Sequence, residues 1–251
     1  MPLELALLGA GGPSGHPFVY PTFPAGRVQS LQGYAGSFTG ASVPSTNSTP
    51  TDAWNDQIGT FNATQGTTAA MPTWLASANS SAQSGYTSGQ SFDGTDDYLQ
   101  HTAPFSSTTQ TLIITVRFNA FGCPIIGSAS DYFLVATGAG GSLKIYINSV
   151  VTSSAASALL VAGNWVTIGI RRNGATVDWA INSTVAASLT TSTSAGTTAF
   201  APIYIGAYSS PLFFGGSPGE SIAQIDWWNS VLSTADFATA MSAHRTLFKI
   251  W

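Results

Sequence analysis

Charge is what this sequence has least of. Only 7% of its 251 residues are Asp, Glu, Lys or Arg, against roughly a quarter in ordinary soluble domains. Seven Lys and Arg are scattered from Arg27 to Lys249, adjacent only at Arg171-Arg172, and the net charge is −4. Nucleic-acid binding needs clustered cations to neutralise phosphate, so the composition argues against it. Glutamate is almost missing: Glu4 and Glu220 stand at opposite ends of the chain, too far apart in sequence to share one strand as a catalytic pair. The single cysteine, Cys123, rules out an internal disulfide and a cysteine-based zinc site. Its neighbours Pro124, Ile125 and Ile126 make it read as a buried, inert thiol. Three histidines, His16, His101 and His244, are widely separated, and no Gly-x-Ser-x-Gly elbow accompanies them, so a Ser-His-Asp set has no support. Long apolar runs are missing as well. The stretch Leu5 to Leu8 is too short, and lacks the preceding Lys or Arg, for a signal peptide or membrane span. The expectation is a protein made in a cytoplasm without a signal peptide.

What fills the chain instead is Ser, Thr, Ala, Gly and Asn, with 44% apolar residues to build a core. Small polar side chains hydrate without carrying charge, and a surface of that kind has little repulsion to hold copies apart. The composition reads as a protein at home in an assembly, with a charge-poor secreted β protein as the plain alternative.

Residues 1–51 are rich in Gly, Pro, Ser and Thr, and Pro13, Pro17, Pro21, Pro24, Pro44 and Pro50 keep interrupting the backbone. Such a segment cannot form a core of its own. Its aromatics Phe18, Tyr20, Phe23, Tyr34 and Phe38 are expected to dock on its own domain or on a neighbouring chain, which makes 1–51 an extended N-terminal arm and 52–251 the folded domain.

From Gln90 the pattern is β. In Thr111 to Phe118, Leu112, Ile114, Val116 and Phe118 share one face and Thr111, Thr115 and Arg117 the other, with Ile113 the exception; a period of two predicts a half-buried strand. Asp131–Thr137 reads as a short apolar strand. Ser142–Asn148 places Leu143, Ile145 and Ile147 inward and Lys144 and Tyr146 outward. Val166, Ile168 and Ile170 line one face of Asn164–Arg172, Asn173-Gly174 is a hairpin signal, and Thr176–Ile181 returns with Val177, Trp179 and Ile181 inward. Pro202–Tyr208 and Glu220–Asn229 read as two further strands. One helix is predicted over 233–248: Ser233 caps it, Asp236 completes a capping box, Leu232 and Phe237 form a hydrophobic staple, and Phe237, Ala240, Met241, His244 and Leu247 or Phe248 share a face. Many short strands with turn signals and one late helix predict an all-β, antiparallel jelly-roll β-sandwich.

The motif set Trp54-x-Asp56-x-x-Gly59, Ala63-x-Gln65, Pro72 and Phe92-Asp93-Gly94-Thr95-Asp96-Asp97-Tyr98-Leu99 resembles concanavalin A-like, laminin G-type jelly rolls of bacteriophage structural proteins. Asn164-Trp165, Asn173-Gly174, Ile203-Tyr204-Ile205-Gly206, Ile225 to Trp228 and Leu232-Ser233 extend the resemblance over roughly residues 52 to 245. One departure is Ile58-Gly59-Thr60, where the family carries a Ser-Gly-Asn-Gly turn. The resemblance implies a non-enzymatic virion protein, a head decoration or tail-associated component. Its arm would anchor it to other virion proteins and to sister copies as a homo-oligomer, with the sandwich displayed outward. A lectin-like carbohydrate-binding module or receptor-binding protein is the alternative. Glycoside hydrolysis needs paired carboxylates; glucanases of this fold carry two Glu close together on one strand, which this chain lacks.

Two sites are nominated. Loop aromatics that stack on sugar rings point to Tyr208, Phe213 and Phe214, with Tyr132 behind them, as glycan-binding candidates; packing beneath the loop or against a neighbour is the plain reading. Asp93, Asp96 and Asp97 sit close enough to supply some of the six to eight oxygens calcium requires. In a turn, however, Asp is favoured for its own backbone hydrogen bonds. Asp178 and Asp226 interrupt strands on their outer faces and are expected to be solvated or paired across strands. Of Trp227 and Trp228, one must face each side of the sheet, so one is core and the other is a candidate interface or sugar platform.

Overall fold

The computed structural model describes residues 21–32, 38–39, 49–75, 89–102, 108–122, 124–128, 133–138, 141–147, 150–153, 159–190, 202–209, 212–213 and 220–248. Cys123, His16, most of the expected arm and the C-terminal 249–251 lie outside those residues. In chain order the strands are β1 (Arg27–Gln32), β2 (Phe38–Thr39), β3 (Thr49–Pro50), β4 (Ala53–Trp54), β5 (Ala63–Thr64), β6 (Thr73–Leu75), β7 (Gly89–Phe92), β8 (Leu99–His101), β9 (Thr109–Arg117) and β10 (Pro124–Ser128). They continue as β11 (Phe133–Gly138), β12 (Ser142–Ile147), β13 (Val150–Ser153), β14 (Trp165–Asn173), β15 (Thr176–Ile181), β16 (Ala187–Thr190), β17 (Ile203–Ile205), β18 (Ala207–Ser209), β19 (Leu212–Phe213) and β20 (Glu220–Trp228), followed by helix α1 (Thr234–Phe248).

Sheet A runs β16-β15-β14-β9-β20-β7-β6-β3, with β1 also on β20; sheet B runs β13-β12-β11-β10-β17-β8-β5-β4-β2. Every pairing between these strands is antiparallel. The alternation read from the sequence explains the layering. Leu112, Ile114, Val116, Val166, Ile168 and Ile170 of sheet A meet Leu99, Ile126, Leu143, Ile145, Ile203 and Ile205 of sheet B in one core. Burying each such side chain is worth about 1.5–3 kcal/mol. The result is the expected antiparallel jelly-roll sandwich with one C-terminal helix.

The strand expected to be half-buried, β9, is buried on both faces. Thr111, Ile113 and Thr115 are each 0% exposed, because α1 lies over the outer face of sheet A. Ile113, Ala180 and Trp228 pack there with Phe237, Ala240 and Met241, and Trp165 and Ala223 with Leu247 and Phe248. Strand periodicity reports which residues share a face, and it is silent on whether a helix later covers that face. The same packing corrects the expectation for the tryptophan pair: Trp227 is in the inter-sheet core and Trp228, also 0% exposed, is under α1 rather than at an interface or sugar platform. In β20 a register shift between Ile222 and Gln224 adds one residue to the outer face. Ile222 and Ile225 therefore both point into the core despite their odd spacing.

The helix begins as expected. Asp236 N–H donates to Ser233 Oγ at 3.1 Å, and the Ser233 hydroxyl donates to the Asp236 carboxylate at 2.7 Å, satisfying an orphan donor of the first turn. Phe237, Ala240, Met241, His244, Leu247 and Phe248 form the buried face.

Two local expectations shift by a residue or break. Asn173 pairs with Thr176, so the hairpin turn is Gly174-Ala175 rather than Asn173-Gly174. Gly174 has φ +61° and Ala175 keeps a negative φ, as a type II′ turn with Gly in the first central position demands. The stretch Pro202–Tyr208 is two strands, not one: Gly206 at φ +81° separates β17 from β18, and a Cβ there would strike the Phe92 ring. Residues 27–32, read as part of an arm, run as β1 beside β20, with Arg27 opposite Trp228 and Gln32 opposite Gln224. Leu31 of this strand is 0% exposed in the inter-sheet core, and its backbone bridges to Asp56, two residues beyond β4 of sheet B. That strand therefore closes one flank of the sandwich.

At Gly169 the helix packs tightly against sheet A: a Cβ there would stand 2.6 Å from Met241 Sδ and from Phe237 Cζ. Gly169→Val is expected to lower stability by about 1–3 kcal/mol or more by overpacking, read as a drop in the urea midpoint with the far-UV β spectrum retained.

Candidate functional site

The Asp93–Asp97 turn joins β7 of sheet A to β8 of sheet B. Asp93 Oδ1 accepts from the N–H groups of Thr95, Asp96 and Asp97 at 2.8, 3.3 and 3.4 Å, and Asp97 Oδ2 accepts from Asp93 N–H at 2.9 Å. The carboxylates of Asp93, Asp96 and Asp97 bring one oxygen each within 4.8 Å of one another. Burial pushes the Asp97 carboxyl up to about 7, assisted by the charges of Asp93 and Asp96 and opposed by the hydrogen bond from Asp93. The structure thus brings together all three residues nominated for calcium. Their first use is to tie the turn: the oxygens of Asp93 and Asp97 facing inward are already engaged by backbone donors. For a hard cation the three carboxylates are a partial oxygen set, below the six to eight that calcium takes.

The nominated aromatic loop divides differently. Tyr132 and Phe214 lie outside the described residues, and of Tyr208 and Phe213 only the backbone is described. Their strands, β18 and β19, form a two-stranded antiparallel ribbon with Ala207 opposite Phe213. Nothing described brings these four side chains into one platform.

A surface that the sequence reading did not assemble is the outward face of sheet B. Its register places Tyr146, Leu134, Gly127, Tyr204, Gln100 and Thr64 in one row across six strands. The inward partners Ile145, Ile126, Ile203, Ile205, Leu99 and Ala63 are all in the core, so Tyr146, Tyr204, Gln100 and Thr64 face away from it. Gln100 and Thr64 are exposed, and Tyr98, Tyr204, Lys144 and Tyr146 are half-buried. Tyr98 and Tyr204 meet edge to face, with ring centroids 5.8 Å apart and planes at 61°. Helix α1 occupies the corresponding face of sheet A, which makes the sheet B face the larger flat surface among the described residues. The outward positions of Lys144 and Tyr146 were legible from alternation. Their alignment with Tyr204 and Gln100 was not, because it depends on pairing β12, β11, β10, β17 and β8 across more than 40 residues of sequence.

A third constellation lies under the helix. Asp226 Oδ1 accepts from Arg27 Nη1 at 2.8 Å, and Asp226 Oδ2 accepts from Gln224 Nε2 and lies 2.9 Å from His244 Nε2. On the other side of the ring, His244 Nδ1 lies 2.8 Å from Thr115 Oγ1, itself 3.0 Å from Thr167 Oγ1. A hydroxyl, an imidazole and a carboxylate in series have the composition of a nucleophilic triad. All three side chains are 0% exposed, so no substrate reaches them. The network is structural, and the expectation that Asp226 would be solvated or paired across strands is met by pairing: Arg27 on β1 is its partner. Asp178 is likewise paired, with Arg171 at 2.8 Å on the adjacent strand. Burial alone would raise the Asp226 carboxyl, but the Arg27 charge and the His244 hydrogen bond and charge hold it at about 2.

No protein-family model matches the chain, and no curated protein matches it. Among solved structures it is similar to Trypanosoma rangeli sialidase at 12% identity and TM-score 0.60, covering 94% of this chain and 35% of that one. The same enzyme in complex with 2,3-difluoro-KDN gives 12% identity and TM-score 0.60, with 98% and 36% covered. The botulinum neurotoxin serotype D binding domain is similar at 11% identity and TM-score 0.53, with 86% and 51% covered. These likenesses are of fold. The chain spans about a third of the length of the sialidase it matches.

The two shifted carboxyls set opposite pH limbs. The folded pKa of Asp226 lies below the ordinary 3.8, so its stabilising contribution is present above pH 3.8 and lost as pH falls toward 2. The folded pKa of Asp97 lies above 3.8, so its contribution is fully present below 3.8 and lost as pH rises through 7. Asp97→Asn is therefore expected to raise the urea midpoint over wild type at pH 8 and to leave it unchanged at pH 3.5. The wild-type midpoint should fall steeply between pH 4 and pH 2.

Proposed function

We propose that this chain is a non-enzymatic glycan-binding β-sandwich that presents the outward face of sheet B to carbohydrate. The Tyr98–Tyr204 edge-to-face pair beside the exposed Gln100 carries this reading. A pyranose ring offers one or two faces of C–H groups and a rim of hydroxyls. Fixed aromatic rings take the former, and amide, phenol and ammonium groups take the latter. Gly127, with no side chain, leaves the row open beside Tyr204. Tyr146 stands three strands away, about 14 Å at ~4.8 Å per strand, a span suited to a short oligosaccharide. Lys144 places a cation on this face. The low charge of the chain suits a neutral, hydroxyl-rich ligand in the same way.

The setting we propose follows the sequence resemblance: the surface of a bacteriophage particle, made in the host cytoplasm. The N-terminal residues and sister copies would provide attachment, and sheet B would face the surroundings. The sialidase and neurotoxin binding-domain likenesses support the sandwich fold, without bearing on the particle.

The test is a glycan array on the full chain, followed by calorimetric titration of its best ligand. Tyr204→Ala and Tyr98→Ala are each expected to weaken binding by about tenfold or more, near 1.4 kcal/mol, with unfolding midpoints checking that the sandwich persists. Phe213→Ala and Phe214→Ala are expected to leave affinity unchanged. The reverse pattern would move the site to the 208–214 loop and overturn the sheet B reading.

A further inference from the structure

The chain has few cations, and most of those on described residues are already engaged. Arg27 and Arg171 each hold a carboxylate at 2.8 Å, Arg117 lies over the Trp165 ring, and Arg172 is buried. Lys144 differs from them. It is half-buried on β12, and among the described residues no carboxylate or aromatic ring is placed against its ammonium. Its partners in the register are Ala136 on β11 and Ser153 on β13, neither of them an acid. The face assigned to carbohydrate therefore carries a positive charge that no described residue neutralises.

Its position on that face matters. Lys144 and Tyr146 alternate with the core residues Leu143 and Ile145, so both face outward, about 6.6 Å apart along one strand. One sugar ring can meet both, with its C–H face on the phenol ring and an acid substituent on the ammonium. The opposite border of the face has the other sign. The Asp93–Asp97 turn runs directly into Tyr98, with Asp93 exposed and Asp96 half-buried, and Tyr98 meets Tyr204 edge to face. Like charges brought together there would oppose an anionic group. The face thus has a polarity: carboxylates border the Tyr98–Tyr204 pair, and an ammonium stands three strands from Tyr204, on β12.

We propose that the ligand of sheet B is an acidic oligosaccharide held in one orientation, with a neutral sugar on Tyr98–Tyr204 and a carboxylate- or sulfate-bearing sugar on Tyr146–Lys144. This rests on the sheet B glycan reading and narrows it: the ligand is hydroxyl-rich along its length and carries an acid group towards one end. A carboxylate and a sulfate ester share the chemistry that Lys144 recognises, acceptor oxygens bearing negative charge. A lysine ammonium is a compact point charge with three donors and no fixed fork, so it selects for the charge of that group more than for its shape.

The test is an array of paired oligosaccharides probed with the full chain at low salt: uronic-acid glycans beside the same glycans with the carboxyl reduced to an alcohol, and sulfated glycans beside their desulfated forms. The acidic member of at least one pair is expected to bind about threefold to fivefold more tightly than its neutral partner, the size of an exposed ion pair; whether that pair is a uronate or a sulfate identifies the acid. Lys144→Met should bring the acidic member down to the affinity of the neutral one, and Lys144→Arg should restore the preference. Sodium chloride at 1 M, where the screening length is about 3 Å, should erase it. Tyr204→Ala is expected to weaken both members alike. Binding that depends on Tyr204 with both members of every pair equal, or a preference that survives Lys144→Met, would overturn the acidic-ligand proposal and leave the sheet B reading standing. Full affinity in Tyr204→Ala, or no binding of any glycan, would overturn both.

Discussion

The Asp226 carboxylate is the point at which three otherwise separate parts of this molecule are joined. It sits on β20, fully buried, and its two oxygens hold Arg27 from β1, His244 from α1 and Gln224 from its own strand. A charge in that position is tolerated only because it is paired and hydrogen-bonded; removing one partner of such a buried pair typically costs about 3–5 kcal/mol. Phe23 stacks edge-on against His244 and under the Arg27 guanidinium, and Trp228 Nε1 donates to the Pro24 carbonyl at 3.3 Å. The N-terminal strand and the C-terminal helix are thus locked to sheet A by the same residue.

That lock decides which surface is left for binding. With α1 over the outer face of sheet A and β1 closing a flank, the tyrosine-bearing face of sheet B is the broad one left among the described residues. Its aromatics come in an ordered pair, and its neighbours are amide, hydroxyl and ammonium groups rather than carboxylates. At the Asp93–Asp97 cluster, where carboxylates converge, one oxygen of Asp93 and one of Asp97 tie the turn.

Much of this was legible in the sequence because it depends on local periodicity. The alternation of Leu112, Ile114 and Val116, the Ser233–Asp236 cap and the inward face of the helix follow from spacing alone, and the jelly-roll class follows from their sum. What escaped depends on tertiary arrangement. Thr111 and Thr115 looked like a solvent face because a helix more than a hundred residues later covers them. Trp228 looked like a platform for the same reason. The hairpin at 173–176 slid by one residue because Gly174 in the first central position satisfies a type II′ turn without help from Asn173. The outward turn of Tyr146 was legible, but its alignment with Tyr98 and Tyr204 was not, since no stretch of sequence holds more than two residues of that face and only strand register brings them together.

The most direct test of the assignment to sheet B is backbone chemical-shift mapping of the full chain with a bound oligosaccharide. The expected result is a continuous patch of perturbed amides over Tyr98, Gln100, Gly127, Tyr204 and Tyr146, with the residues under α1 unmoved. A patch confined to the 207–214 ribbon, or to the turn at Asp93–Asp97, would contradict it.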